Sequence, residues 1–97
     1  MKIDKKVIEQ YKRICPTSTQ KCSNDSEIKY KIERAVVLGK VVDIRDGEYH
    51  KQYHNIIFII KNNKINSMYQ SNSEDRYIVV SERIKKKYDL IHSKVLV

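Results

Sequence analysis

With 97 residues, 40% of them hydrophobic and 33% charged, the chain suits one domain (1–97) with one core rather than a disordered segment. Two Gly and one Pro leave no flexible linker, and the longest apolar run, Ile56 to Ile60, is far short of the ~20 residues of a membrane helix. The formal charge of +8 rules out mimicry of DNA and favours a polyanionic partner.

In chain order, the N-terminus is charged and lacks the apolar region of a secretory signal, so a cytoplasmic location is expected. Ile3, Val7, Tyr11 and Ile14 then recur at helical spacing, and Pro16 ends that helix at or before Cys15. The polar stretch from Thr17 to Ser23 reads as a loop. Cys15 and Cys22 flank it with a spacing that matches no common zinc site, so two reduced, partly buried thiols are expected. Asn24 followed by Glu27 resembles a capping box; Ile28, Ile32, Ala35 and Val36 form a stripe, and Gly39 suits the residue after a helix end. The expected second helix therefore runs from Asp25 to Leu38.

Beyond Gly39 the period changes to two. Asp46-Gly47 is a strong hairpin signal, a returning strand is expected from Glu48 to Ile60, and Asn62-Asn63 suits a turn with positive φ before a strand around Ile65 to Tyr69. Tyr77 to Val80 reads as a short buried strand. Ser81 caps a helix carrying Ile84, Tyr88 and Ile91, and Val95 to Val97 offer a final edge strand or tail. The expected fold is α+β: two N-terminal helices, an antiparallel sheet of about four strands and a C-terminal helix. A final edge strand would also allow two copies to pair as a homodimer.

His50 and His54 sit four apart in an expected strand, sharing a face but roughly 13 Å from each other, which disfavours a shared metal. Either imidazole retains a proton-transfer role near neutral pH, against the plainer reading of polar strand positions. Tyr49, Tyr53, Tyr69 and Tyr77, with Lys51, Lys64 and Arg76 nearby, form a set that can stack bases and hold phosphates, although Tyr also packs well across strands. Lys85, Lys86 and Lys87 add a cationic triplet, which in many helices simply faces water. No phosphate loop, nucleophile elbow or acidic metal cluster is present in the sequence, so no cofactor and no metal are expected.

Residues 27–70 read as a helix ending at Gly39, a hairpin, the strand containing Ile56 to Ile60, the Asn62-Asn63 turn and a strand ending near Tyr69. This pattern resembles the RelE/BrnT-type small RNase toxin-like domains. The resemblance implies metal-independent RNA cleavage, with Ser67 or Tyr69 at the end-of-strand position and Arg76 as the cation after it. The helical His of many relatives has no counterpart in residues 1–39, so His54 or His50 would have to replace it. Such a toxin, carried by a mobile genetic element, would be paired with an antitoxin or immunity protein. The expected catalytic set is therefore His54, Tyr69 and Arg76. The expected nucleic-acid contacts are Lys51, Lys64, Tyr49, Tyr53, Lys85, Lys86 and Lys87, with RNA favoured over DNA. Two further readings stand beside this one. A plasmid or phage DNA-binding protein of winged-helix type would use the segment from Val41 to Ile60 as its wing, but requires a third helix before it. An inhibitor or adaptor would meet an acidic patch on another protein.

Overall fold

Three tight turns set the sheet. Asp46 and Gly47 have φ of 48° and 79°, and Asn62 and Asn63 have φ of 53° and 58°. Both pairs occupy the left-handed region that two-residue hairpins need, as their sequences predict. The third turn corrects the expectation of one strand from Glu48 to Ile60. His54 takes φ of 54°, a region where His is enriched among non-glycine residues, and the chain reverses at His54–Asn55.

The computed structural model describes residues 1–71 and 78–92. Their elements are β1 (Lys2–Ile3), α1 (Lys5–Ile14), α2 (Pro16–Gln20), α3 (Asp25–Leu38), β2 (Lys40–Arg45), β3 (Glu48–Tyr53), β4 (Ile56–Lys61), β5 (Lys64–Gln70) and α4 (Glu82–Ile91). The architecture is α+β, with a five-stranded sheet in the order β1-β5-β4-β3-β2. Strands β2 to β5 form an antiparallel meander, but β1 joins β5 in parallel, so the sheet is mixed rather than purely antiparallel. Ile3, expected in the first helix, belongs to β1. The helix begins after Asp4, whose carboxylate accepts the Lys6 backbone N–H as an N-cap.

Pro16 does end α1, yet the polar stretch that follows is helical over its first half. Pro16 occupies the first position of α2, where its missing N–H costs nothing. The Thr19 hydroxyl and backbone N–H both donate to the Cys15 carbonyl, closing the turn. Helix α3 matches its expected bounds, and Asn24 Oδ1 accepts the Glu27 N–H as the capping box predicts. Gly39, however, is extended (φ −73°, ψ 167°) and not left-handed. Its role is close approach, since a Cβ there would lie 2.9 Å from both the Ala35 and Gln52 carbonyl oxygens.

The core joins Val7, Ile8 and Tyr11 of α1 and Ile28, Ile32, Ala35 and Val36 of α3 to Phe58, Ile60, Ile65 and Met68 of the sheet. Directly opposed residues share a sheet face. Tyr49 opposite Ile60, Lys51 opposite Phe58 and Tyr53 opposite Ile56 thus belong to the face covered by helices. His50 and Ser67, both opposite Ile59, and Tyr69, opposite Ile57, belong to the other.

The strand expected at Tyr77 to Val80 is corrected for the residues described. Ile78 makes a single bridge to His54, Val79 is exposed and Val80 is buried. Tyr77, Arg76 and the expected strand Val95 to Val97 lie outside the described residues. Helix α4 starts at the predicted cap, with Ser81 Oγ accepting the Ile84 N–H. Among the described residues, no helix is long and apolar enough to cross a membrane.

Candidate anion-binding pocket

The hollow of interest opens on the helix-covered side, at the end of the sheet where β3 turns into β4. It encloses about 380 Å³ and is lined by residues of the four helices, of β3 and β4 and of the chain between them. Helix α1 contributes Tyr11, and the α2 region contributes Thr17, Ser18 and Lys21. Helix α3 contributes Lys31 and Arg34, α4 contributes Glu82 and Lys85, and the β3–β4 turn contributes Tyr53 and His54. Among the described residues, four cationic side chains therefore converge on one concavity, and Glu82 is the sole acidic lining residue.

The short α2 helix is what presents Ser18. Its Oγ lies 2.6 Å from the Tyr11 hydroxyl, and its carbonyl oxygen and Oγ are each 3.3 Å from Lys31 Nζ. Burial pushes the Tyr11 phenol up to about 12, with the Ser18 hydrogen bond acting in the opposite direction. Cys15, half-buried at the same wall, has its thiol pushed up by burial as well. Cys15 and Cys22 are both free and partly buried in this structure.

The opposite wall is built around Tyr53. His54 stacks on its ring at 4.3 Å and 8°, and Lys85 Nζ lies 5.6 Å from the ring centroid. Burial works against the charge of Lys85, but contacts with the Tyr53 hydroxyl and Glu82 outweigh it and raise its pKa. The turn itself is tied down. The His54 carbonyl accepts from Gln52 Nε2 at 2.8 Å and from the Ile78 N–H at 3.1 Å, while Ser71 N–H donates to the Asn55 carbonyl. His54 Nε2 lies 3.4 Å from the Val80 carbonyl oxygen, so its Nε2–H tautomer donates there.

Arg34 is held at the rim by Asp89 of α4. Its Nη1 donates to both carboxylate oxygens at 3.1 and 2.9 Å, and the Tyr30 hydroxyl donates to the same carboxylate. Lys21 and Lys31, by contrast, have no carboxylate partner among the described residues. Lys12, Lys64, Lys85, Arg34 and Arg45 all do.

The residues singled out from the sequence are thus divided. Tyr53, Lys85 and His54 meet at the pocket. Tyr49 packs against the core, and Lys51, on the helix-covered face opposite Phe58, has its pKa lowered by burial. Lys64 pairs with Asp4 at 3.5 Å, and Lys86 and Lys87 are exposed to solvent. His50 and His54 do not share a face, because the turn carries His54 to the helix side while His50 stays on the other. There His50 meets Tyr69 edge to face at 6.4 Å. His54 and Tyr69 are therefore not brought together, and Arg76 lies outside the described residues. No group of three His, Cys, Asp or Glu side chains that could hold a metal occurs among the described residues.

Tyr11, Ser18, Lys21, Lys31 and Arg34 were not singled out from the sequence. The available signal was the flank of the second helix, where Lys31 and Arg34 stand three apart, beside the apolar stripe of Ile28, Ile32 and Ala35. Comparison with family models, curated proteins and solved structures gave no match.

Proposed function

We propose that this protein binds nucleic acid, RNA in preference to DNA, by drawing phosphate into the pocket between α2, α3, α4 and the β3–β4 turn. The observation that carries this reading is the convergence of Lys21, Lys31, Arg34 and Lys85 on a hollow with one acidic side chain among the described residues. Lys31, Arg34 and Lys85 are half-buried and Lys21 is exposed at the rim, and only Arg34 and Lys85 have a carboxylate partner among the described residues, so the gathered positive charge favours an anion. The net charge of +8 adds long-range attraction for a polyanion.

A concave hollow of about 380 Å³ accepts one group from a strand rather than the side of a duplex, and unpaired strands are the usual target of RNA recognition. That geometry is the reason for preferring RNA. The third helix required by a winged-helix reading is present as α2, but the intended wing is not free. Val41 to Ile60 spans β2, β3 and β4 within one continuous sheet. Helix α3, the natural reading helix, carries three acidic and three basic side chains and has no charge excess to face phosphates. Binding is also better supported than cleavage by the set His54, Tyr69 and Arg76, since the first two lie on opposite faces.

The test is fluorescence anisotropy with labelled single-stranded RNA, duplex RNA and duplex DNA across a salt series, with a gel to detect cleavage. The expected result is preferential binding to the single strand. Its log–log salt slope should weaken by roughly 0.7 for each phosphate contact removed, as in the Lys21→Ala/Lys85→Ala variant. Tighter binding to duplex DNA, or an unchanged slope in that variant, would remove the proposal.

A further inference from the structure

Resting on that reading, we infer that the pocket takes a phosphomonoester, the terminal phosphate of a strand or that of a mononucleotide, rather than an internal phosphodiester. Three observations converge on this chemistry. The first is the charge balance within the hollow. Arg34 and Lys85 already have carboxylates in Asp89 and Glu82, whereas Lys21 and Lys31 have none among the described residues. Two unneutralised ammonium groups match a phosphomonoester, which carries about −1.5 to −2 at neutral pH. A phosphodiester carries only a single charge and would leave the balance incomplete.

The second observation is shape. The hollow is walled by Tyr11 and α2 on one side and by Tyr53, His54 and Lys85 on the other, with Phe58 and Ala35 among the lining. A hollow walled on two facing sides suits a compact terminal group. At about 380 Å³ the volume falls near the lower end of the range of about 300–1,000 Å³ typical of small-ligand sites.

The third is what the aromatic groups are already doing. Tyr53 has His54 stacked against it and holds Lys85 through its ring and hydroxyl, so it anchors a cation instead of offering a bare platform to a base. Tyr11 is likewise committed to Ser18. Charge and hydrogen bonding, not base stacking, are left to select the ligand. The Ser18 hydroxyl, between Tyr11 and Lys31, accepts from the Lys31 ammonium and adds a neutral polar group beside it.

The experiment compares one short single-stranded RNA sequence in four forms, labelled internally: 5′-phosphorylated, 3′-phosphorylated, hydroxyl at both ends, and covalently circular. Adenosine monophosphate serves as a competitor. The phosphorylated form is expected to bind on the order of tenfold more tightly than the hydroxyl-ended and circular forms. That preference should disappear in Lys21→Ala, an exposed position, and in Lys31→Gln, each checked for folding by circular dichroism. Competition by adenosine monophosphate at concentrations comparable to the RNA would assign the preference to the phosphomonoester alone; weak competition would assign it to the strand end. Equal, salt-sensitive affinity for all four forms would overturn this inference and leave RNA binding standing. Failure of every form to bind would overturn the RNA-binding reading itself.

Discussion

Tyr11 links the core to the pocket through one hydroxyl. Its ring packs with Val7, Ile8 and the sheet, while its oxygen reaches Ser18. Because burial raises its pKa to about 12, from about 10 in an unfolded chain, the native state holds this proton after the unfolded state has lost it. The associated stability is fully present below about pH 10 and is lost as pH rises toward 12. Tyr30 and Tyr88 are shifted in the same direction, both chiefly by burial, and add to the effect. Urea midpoints measured from neutral pH upward are expected to fall above about pH 10, and Tyr11→Phe should flatten part of that fall. A midpoint independent of pH over that range would contradict the burial of these phenols. Single positions also show why a correct sequence expectation can rest on the wrong cause. Gly39 was legible as a helix stop, but what demands glycine is the approach of two carbonyl oxygens, one from a strand 13 positions later, and no local pattern carries that information.

Among the elements, those with strong local signals were legible: the capped α3, the Asp46-Gly47 and Asn62-Asn63 turns, and α4 behind Ser81. Those missed are β1, α2 and the His54–Asn55 turn, and the last two supply walls of the pocket. Five residues rich in Ser and Thr have weak helix propensity, and α2 depends on Pro16 at its start and on Tyr11 and Lys31 gripping Ser18. The His54–Asn55 turn contains neither Gly nor an Asn pair, and it is held by Gln52 and by the chain around Ile78. Helix α4 is positioned by a different device, the Asp89 carboxylate between Arg34 and Tyr30, with side-chain exposures of 14% and 19% for the Arg34–Asp89 pair. Removing the carboxylate strands a mostly buried guanidinium, so Asp89→Ala should cost about 3 kcal/mol of stability in urea denaturation. The double variant Arg34→Ala/Asp89→Ala should cost less than the sum of the two single changes. Additive losses would show that the pair does not act as a unit.

Over the whole molecule, the helices cover one face of the sheet at the core, and the cationic hollow forms where that cover meets the β3–β4 turn. The α+β class followed from the change of period after Gly39. The mixed sheet did not, because β1 is only two residues long and gains its place by pairing with Lys64 and Ile65. The alternation of Tyr49 and Tyr53 with His50 was legible, but the place of His54 was beyond the sequence, since the turn there carries it to the helix side. Two candidate surfaces are therefore separate, the pocket on the helix side and the His50–Tyr69 side of the sheet. The most direct measurement is amide chemical-shift mapping by NMR while single-stranded RNA is added. Binding at the pocket requires shifts centred on Ser18, Lys21, Lys31, Tyr53 and Lys85. Shifts centred on His50, Ile59, Ser67 and Tyr69, or none at all, would contradict it.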